Sequence, residues 1–151
     1  MALAVGDQAP DFTLPSTSGS NFTLSKDMAG KPCIIYFYPK DFTPTCTKEA
    51  CNFRDNIDVF KGLNIDVLGI SRDSVGVHHK FRKEYTLDFN LLADEDGAVC
   101  GLYKAVIPVV RMPKRITYLL DKDHKIAAVV NNMFSATAHI QELVDHLHAA
   151  G

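Results

Sequence analysis

Apolar positions along this chain follow two distinct periods. "PCIIYFYP" (32–39) is an unbroken β-branched and aromatic run closed by Pro39, and "IDVLGIS" (65–71) repeats the pattern. Runs of this kind predict strands buried on both faces. "ITYLLD" (116–121) and "KIAAVVN" (125–131) flank a "KDH" turn and predict an antiparallel hairpin. Helical spacing rules elsewhere. Cys46, Ala50, Phe53, Ile57 and Phe60 make one stripe, and Ile140, Leu143, Val144 and Leu147 make another at i, i+3, i+4, i+7, which predicts a closing helix over 137–150. Further helices are expected around 75–85 and, shorter, near 97–103. The first 25 residues carry apolar patches broken by Pro, Gly and Ser, which suits a small hairpin. The order strand–helix–strand–helix–hairpin–helix implies an α/β chain with a central mixed β-sheet flanked by helices. With no repeat or linker in the way, residues 1–151 read as one domain.

Composition narrows the function. At 151 residues, 46% hydrophobic and 23% charged, the chain has the make-up of a globular protein with a real core. Its 16 basic and 18 acidic residues leave a net charge of −2, so no net field attracts nucleic acid or an anionic membrane. The run "CIIYFY" (33–38) is far too short to span a bilayer. "MALAVGDQAPDF" lacks the basic and apolar regions of a secretory signal, so a cytoplasmic location is expected. Neither nucleic acid nor membrane is an expected partner. The four cysteines, Cys33, Cys46, Cys51 and Cys100, are too few for a disulfide scaffold. In a reducing compartment they are catalytic, metal-binding or simply buried.

The stretch "FTPTCTKEACNFRD" (42–55) concentrates the chemistry. Thr43 suits an N-cap and Pro44 the first helical position, where no N–H is needed. Cys46 is then the third helical residue, and the Thr43 hydroxyl is placed to accept from its N–H. A first-turn cysteine meets the helix dipole and free N–H groups, which favour an anion and hence a reactive thiolate. Cys51 lies about 140° around the helix from Cys46, off the inward stripe. A lone cysteine on such a stripe is most often a small core hydrophobe. The combination of strand, proline, N-capping threonine, first-turn cysteine and second cysteine argues against a purely structural role.

Pro39-x-x-x-Thr43-x-x-Cys46 resembles the active-site motif of peroxiredoxins, and "FTPTCTKEACNFRD" resembles the Q type, also called bacterioferritin comigratory protein. "GDQAPDFTL", "IIYFYP", "VLGISRDS", "LLADEDGAVCGLY" and "RITYLLD" follow the family's segments in order. The resemblance implies a thioredoxin-like fold and a thiol peroxidase acting on hydrogen peroxide and organic hydroperoxides, recycled by thioredoxin or a similar dithiol. It implies Cys46 as the peroxidatic residue, Cys51 as the resolving one and Arg115 as the catalytic arginine. Pro39 would shield the thiolate from water. No cofactor or metal is implied, and the chain is expected to be a monomer or at most a weak dimer. Thr45 departs from the family, which commonly has Gly before the cysteine, and its branched side chain is expected to narrow peroxide access.

These residue types suit the chemistry. Cleaving a peroxide O–O bond with sulfur needs a thiolate, donors that hold the peroxide, and positive charge for the departing oxygen. Cys46 supplies the sulfur; its N–H, the Thr43 hydroxyl and Arg115 are the expected donors. The sulfenic acid product condenses with a nearby thiol. Cys33, inside a strand run, and Cys100 read as core. Glu49 resembles a family position that would contact Arg115 or the helix start, and reads equally as a solvated glutamate. His78, His79, His139, His146 and His148 read as solvated helix faces, with no i, i+4 pair of the zinc type. Two other functions compete. A general thiol–disulfide oxidoreductase would normally use C-x-x-C, which is absent, and an iron–sulfur module would want a third cysteine where Arg54 stands.

Overall fold

The computed structural model describes residues 2–131 and Leu143. Among these residues a five-stranded sheet has the order β5-β4-β3-β6-β7. Its centre is β3 (Cys33–Phe37), every residue of which is buried, as the unbroken apolar run requires. On one side β3 pairs in parallel with β4 (Asp66–Ser71), and β4 with β5 (Asn90–Ala93). On the other side it pairs antiparallel with β6 (Ile116–Leu120), which turns into β7 (Ile126–Val130). A small separate hairpin, β1 (Thr13–Pro15) and β2 (Asn21–Thr23), stands at the N-terminus as expected.

The period of two along β3 divides the core. Cys33, Ile35 and Phe37 face one apolar cluster with Leu24 of α1 (Leu24–Asp27) and with Val99 and Cys100 of α5 (Ala98–Leu102). Ile34, Tyr36 and Tyr38 face the other. There they meet α2 (Pro44–Asp55), α3 (Ile57–Gly62) and Phe81 of α4 (Val75–Glu84). Burying each large side chain contributes about 1.5–3 kcal/mol, so both faces of the sheet are firmly covered. Among the described residues no helix is long and apolar enough to cross a membrane.

Three elements differ from expectation. The stripe from Cys46 to Phe60 belongs to two helices, because Asn56 interrupts it with φ −108° and ψ 9°. The Asn56 N–H is shared between Asn52 O and Phe53 O, each at 3.2 Å, and its amide nitrogen donates to Asn52 O at 2.8 Å. The stripe stays buried because Ile57 and Phe60 follow in phase. Strand β5 and the one-turn α1 are additional to the elements expected from periodicity. The closing helix expected over 137–150 lies outside the described residues, apart from Leu143, which is helical and fully buried.

Candidate active site

The site forms where the C-terminal end of β3 meets the start of α2. Thr43 takes extended backbone at the N-cap (φ −76°, ψ 149°) and Pro44 is the first helical residue, as read from the sequence. Cys46 faces inward and is 1% exposed; Glu49, Ala50 and Phe53 continue the buried stripe at i+3, i+4 and i+7. Arg115 arrives from the other direction. It immediately precedes β6, whose Ile116 pairs with Phe37 at the end of β3, and this register sets the guanidinium beside α2.

Arg115 acts there as a fork. Nη1 donates to Glu49 Oε1 at 2.6 Å and Nη2 donates to Cys46 Sγ at 3.1 Å, with all three side chains almost wholly buried. Charge-assisted bonds of this length are the strong kind, and a guanidinium can make two in a fixed plane. Burial pushes the Glu49 carboxyl up to about 7, against the opposing pull of Arg115. Burial also works against the charge on Arg115, but Glu49 and Cys46 more than offset it and hold the guanidinium above its ordinary value. The arginine therefore keeps its charge, and the carboxyl is the member that titrates.

The other expected site residues are less uniformly engaged. The Thr43 hydroxyl does not cap α2; it donates to Lys40 O at 2.8 Å and leaves the Cys46 N–H uncapped by that side chain. Its hydrogen is thus committed within its own loop, and the oxygen remains able to accept. Pro39 is half-buried, two residues beyond the end of β3. Cys51 is half-buried, off the stripe, while Thr45 is exposed beside Cys46. Cys33 and Cys100 are fully buried. Burial pushes the Cys33 thiol up to about 12, and burial with Asp94 raises Cys100 far above the usual range. Both belong to the core, as read, which leaves Cys46 and Cys51 as the two cysteines on α2.

Two corrections concern polar residues. Glu49, left open between contact and solvated glutamate, is fully buried on Arg115. Its signal lay in its spacing, three residues after Cys46 and four before Phe53 on the same stripe. His78 is not on a solvated face; it is fully buried, 2.6 Å from Asp41 Oδ2, because α4 turns it and Phe81 inward together. His79 is exposed as expected, while His139, His146 and His148 lie outside the described residues.

Comparison with known proteins places the chain in a family. The AhpC/TSA family matches residues 5–129. The chain belongs to this family. It is 42% identical over 153 residues to the peroxiredoxin bcp of Coxiella burnetii, covering 97% of this chain and 100% of that one. Among solved structures, peroxidoxin BcpB from Mycobacterium tuberculosis superimposes with a TM-score of 0.89 at 36% identity, over 96% of each chain. A bacterioferritin comigratory protein from Xanthomonas campestris, whose structures concern its reduction of alkyl peroxides, matches with a TM-score of 0.83 at 28% identity, over 92% of this chain and 91% of that one. The fold is thioredoxin-like, and the chain is a peroxiredoxin, a thiol-dependent peroxidase.

Proposed function

We propose that Cys46 attacks the peroxide and that Cys51 resolves the product. The observation that carries this reading is the Arg115 guanidinium at 3.1 Å from a first-turn sulfur that is almost fully buried. The Cys46 thiolate attacks the nearer peroxide oxygen and the O–O bond breaks. Sulfur is oxidised to a sulfenic acid, and the departing oxygen leaves as water or an alcohol after taking a proton. The free nitrogen of the fork, Arg115 Nε, has no partner among the described residues and is a donor in reserve for peroxide oxygen. Thr43 and Pro39 would shape the mouth of the pocket, Thr43 accepting the peroxide hydrogen through its hydroxyl oxygen.

The Cys51 thiolate then attacks the sulfenic sulfur and releases water once the hydroxide is protonated, which closes an intrachain disulfide. A thioredoxin-like dithiol reduces that bond and returns both thiols. Hydrogen peroxide and small organic hydroperoxides are the substrates, the latter in line with the alkyl peroxides of the Xanthomonas relative. The setting we favour is the cytoplasm, with the chain working as a monomer or weak dimer.

Mass mapping after one equivalent of hydrogen peroxide tests this reading. The expected product is a Cys46–Cys51 disulfide in the parent, no oxidation step in Cys46→Ser, and a Cys46 sulfenic or sulfinic acid in Cys51→Ser. Near-parental turnover in Cys51→Ser would move the resolving role to another thiol.

A further inference from the structure

The loop between β3 and α2, which carries Pro39 and Thr43, is held from behind by a buried polar cluster that peroxide chemistry does not use. Asp41 sits mid-loop and is buried; its Oδ1 accepts from the Tyr38 hydroxyl at 2.5 Å and its Oδ2 lies 2.6 Å from His78 Nδ1. His78, on α4, sets its Nε2 3.0 Å from Leu92 O on β5. The Asp41 N–H donates to Asp73 Oδ2 at 2.8 Å, and the same oxygen accepts from the Ser71 hydroxyl at 2.6 Å. One residue further on, Phe42 has a φ of 66°, the left-handed region that an aromatic residue avoids, with its ring 5.1 Å from that of Phe81. A strained loop is thus tied to a helix and to a strand behind it.

Counting hydrogens shows what the tie is made of. A carbonyl oxygen only accepts, so His78 Nε2 carries a hydrogen. The 2.6 Å contact between Nδ1 and Oδ2 needs a second hydrogen, since two facing lone pairs would repel. The pair therefore holds one proton more than a neutral imidazole beside an ionised carboxylate. It is imidazolium with carboxylate, or imidazole with carboxylic acid, and it is neutral overall in either form. Asp73, from the β4–α4 connection, Tyr36, from β3, and Tyr38, just beyond it, are the ionisable groups around it. Burial pushes both tyrosines far above their usual range, so neither gives up a proton to the pair.

We propose that Asp41 and His78 are positioning residues for peroxide reduction, fastening the loop that presents Pro39 and Thr43 to Cys46 through a single proton held between that loop and α4. This rests on Cys46 being the peroxidatic residue. Asp41 and His78 touch no reacting atom. They act by keeping the Phe42 turn in its strained form, which fixes where α2 begins and hence where its first free N–H groups point.

The test uses a Cys51→Ser parent, so that oxidation stops at Cys46, and compares peroxide oxidation with iodoacetamide alkylation at pH 7. Asp41→Ala and His78→Ala should slow oxidation about tenfold or more while alkylation changes by less than about threefold, because only the peroxide needs an exact pocket. Asp41→Asn should return oxidation to within about threefold of the parent, since its amide donates to a neutral imidazole and still accepts from Tyr38. Nitrogen and carbon NMR of the parent should show either a doubly protonated His78 or a protonated Asp41 carboxyl. Alanine variants as fast as the parent, an asparagine variant as slow as the alanine ones, or a neutral imidazole beside an ionised Asp41 would each overturn the proposal. If the alanine variants do not fold, the asparagine variant and the NMR decide it. A parent that forms no sulfenic acid at Cys46 would instead sink the peroxidatic assignment.

Discussion

Arg115 gives one arm of its guanidinium to Glu49, at 2.6 Å, and the burial of that carboxyl makes the site sensitive to pH from within. Because burial lifts Glu49 from 4.5 to about 7, the folded protein binds this proton more tightly than the unfolded chain. Its contribution to stability is full below pH 4.5 and is lost as pH rises through about 7, on the order of 1–3 kcal/mol. Urea denaturation between pH 4.5 and 8 should show that decline in the parent and a flatter profile in Glu49→Gln. Identical profiles would mean that Glu49 is ionised throughout, held so by Arg115.

The other arm, at 3.1 Å from Cys46 Sγ, is expected to act on the reaction as well as on the thiolate. Arg115→Met should slow peroxide oxidation by about 100-fold or more and alkylation by iodoacetamide much less, since alkylation needs only the thiolate. Equal slowing of both reactions would reduce Arg115 to a charge that favours the anion.

Cys46 and Cys51 share one helix, Pro44–Asp55. In a regular helix Cα atoms five residues apart are ~8.7 Å from each other, whereas a disulfide usually needs ~4.4–6.8 Å. Residues 44–52 are therefore expected to unwind in the oxidised protein, where amide exchange should quicken by about tenfold or more over the reduced form. An oxidised structure with the bond inside an intact α-helix would refute this.

Gly69 shows how tightly the sheet is packed behind the site. A Cβ there would lie 2.8 Å from Leu91 Cδ2 and from Tyr36 Cζ, and Tyr36 is stacked on Phe53 with centroids 4.5 Å apart. Gly69→Ala should cost about 1–3 kcal/mol by overpacking, measured by urea denaturation. A neutral result would show that the Tyr36 ring has room to retreat.

Strands β3, β4 and β6 were legible because burial on both faces leaves an unbroken apolar run. Strand β5 was not: its four residues, Asn90–Ala93, are too few to show a period, and the acidic segment from Asp94 follows at once. The break at Asn56 was hidden because the two helices keep the stripe in phase. At the site, Cys46 could be placed from the local helix start, and Arg115 only through the family resemblance. Glu49 and His78 could not, because a charged or polar side chain is normally solvated and the partners that reverse this are remote. Arg115 is 66 positions from Glu49, and Asp41 is 37 from His78.

The sheet that divides the core in two also divides the labour of the molecule. Cys46, Ala50 and Phe53 belong to the cluster on one side, and the N-terminal hairpin, α5 and Tyr118 belong to the other. If α2 unwinds at each turnover, as expected above, the molecule needs a part that stays folded. Here the far layer serves as a keel, since its contacts do not depend on whether the first turns of α2 are wound. The register that places Arg115 belongs to β3 and β6, outside α2, and is the template on which the helix is expected to rewind. Endurance over many cycles is thus expected to rest on the side of the sheet away from Cys46.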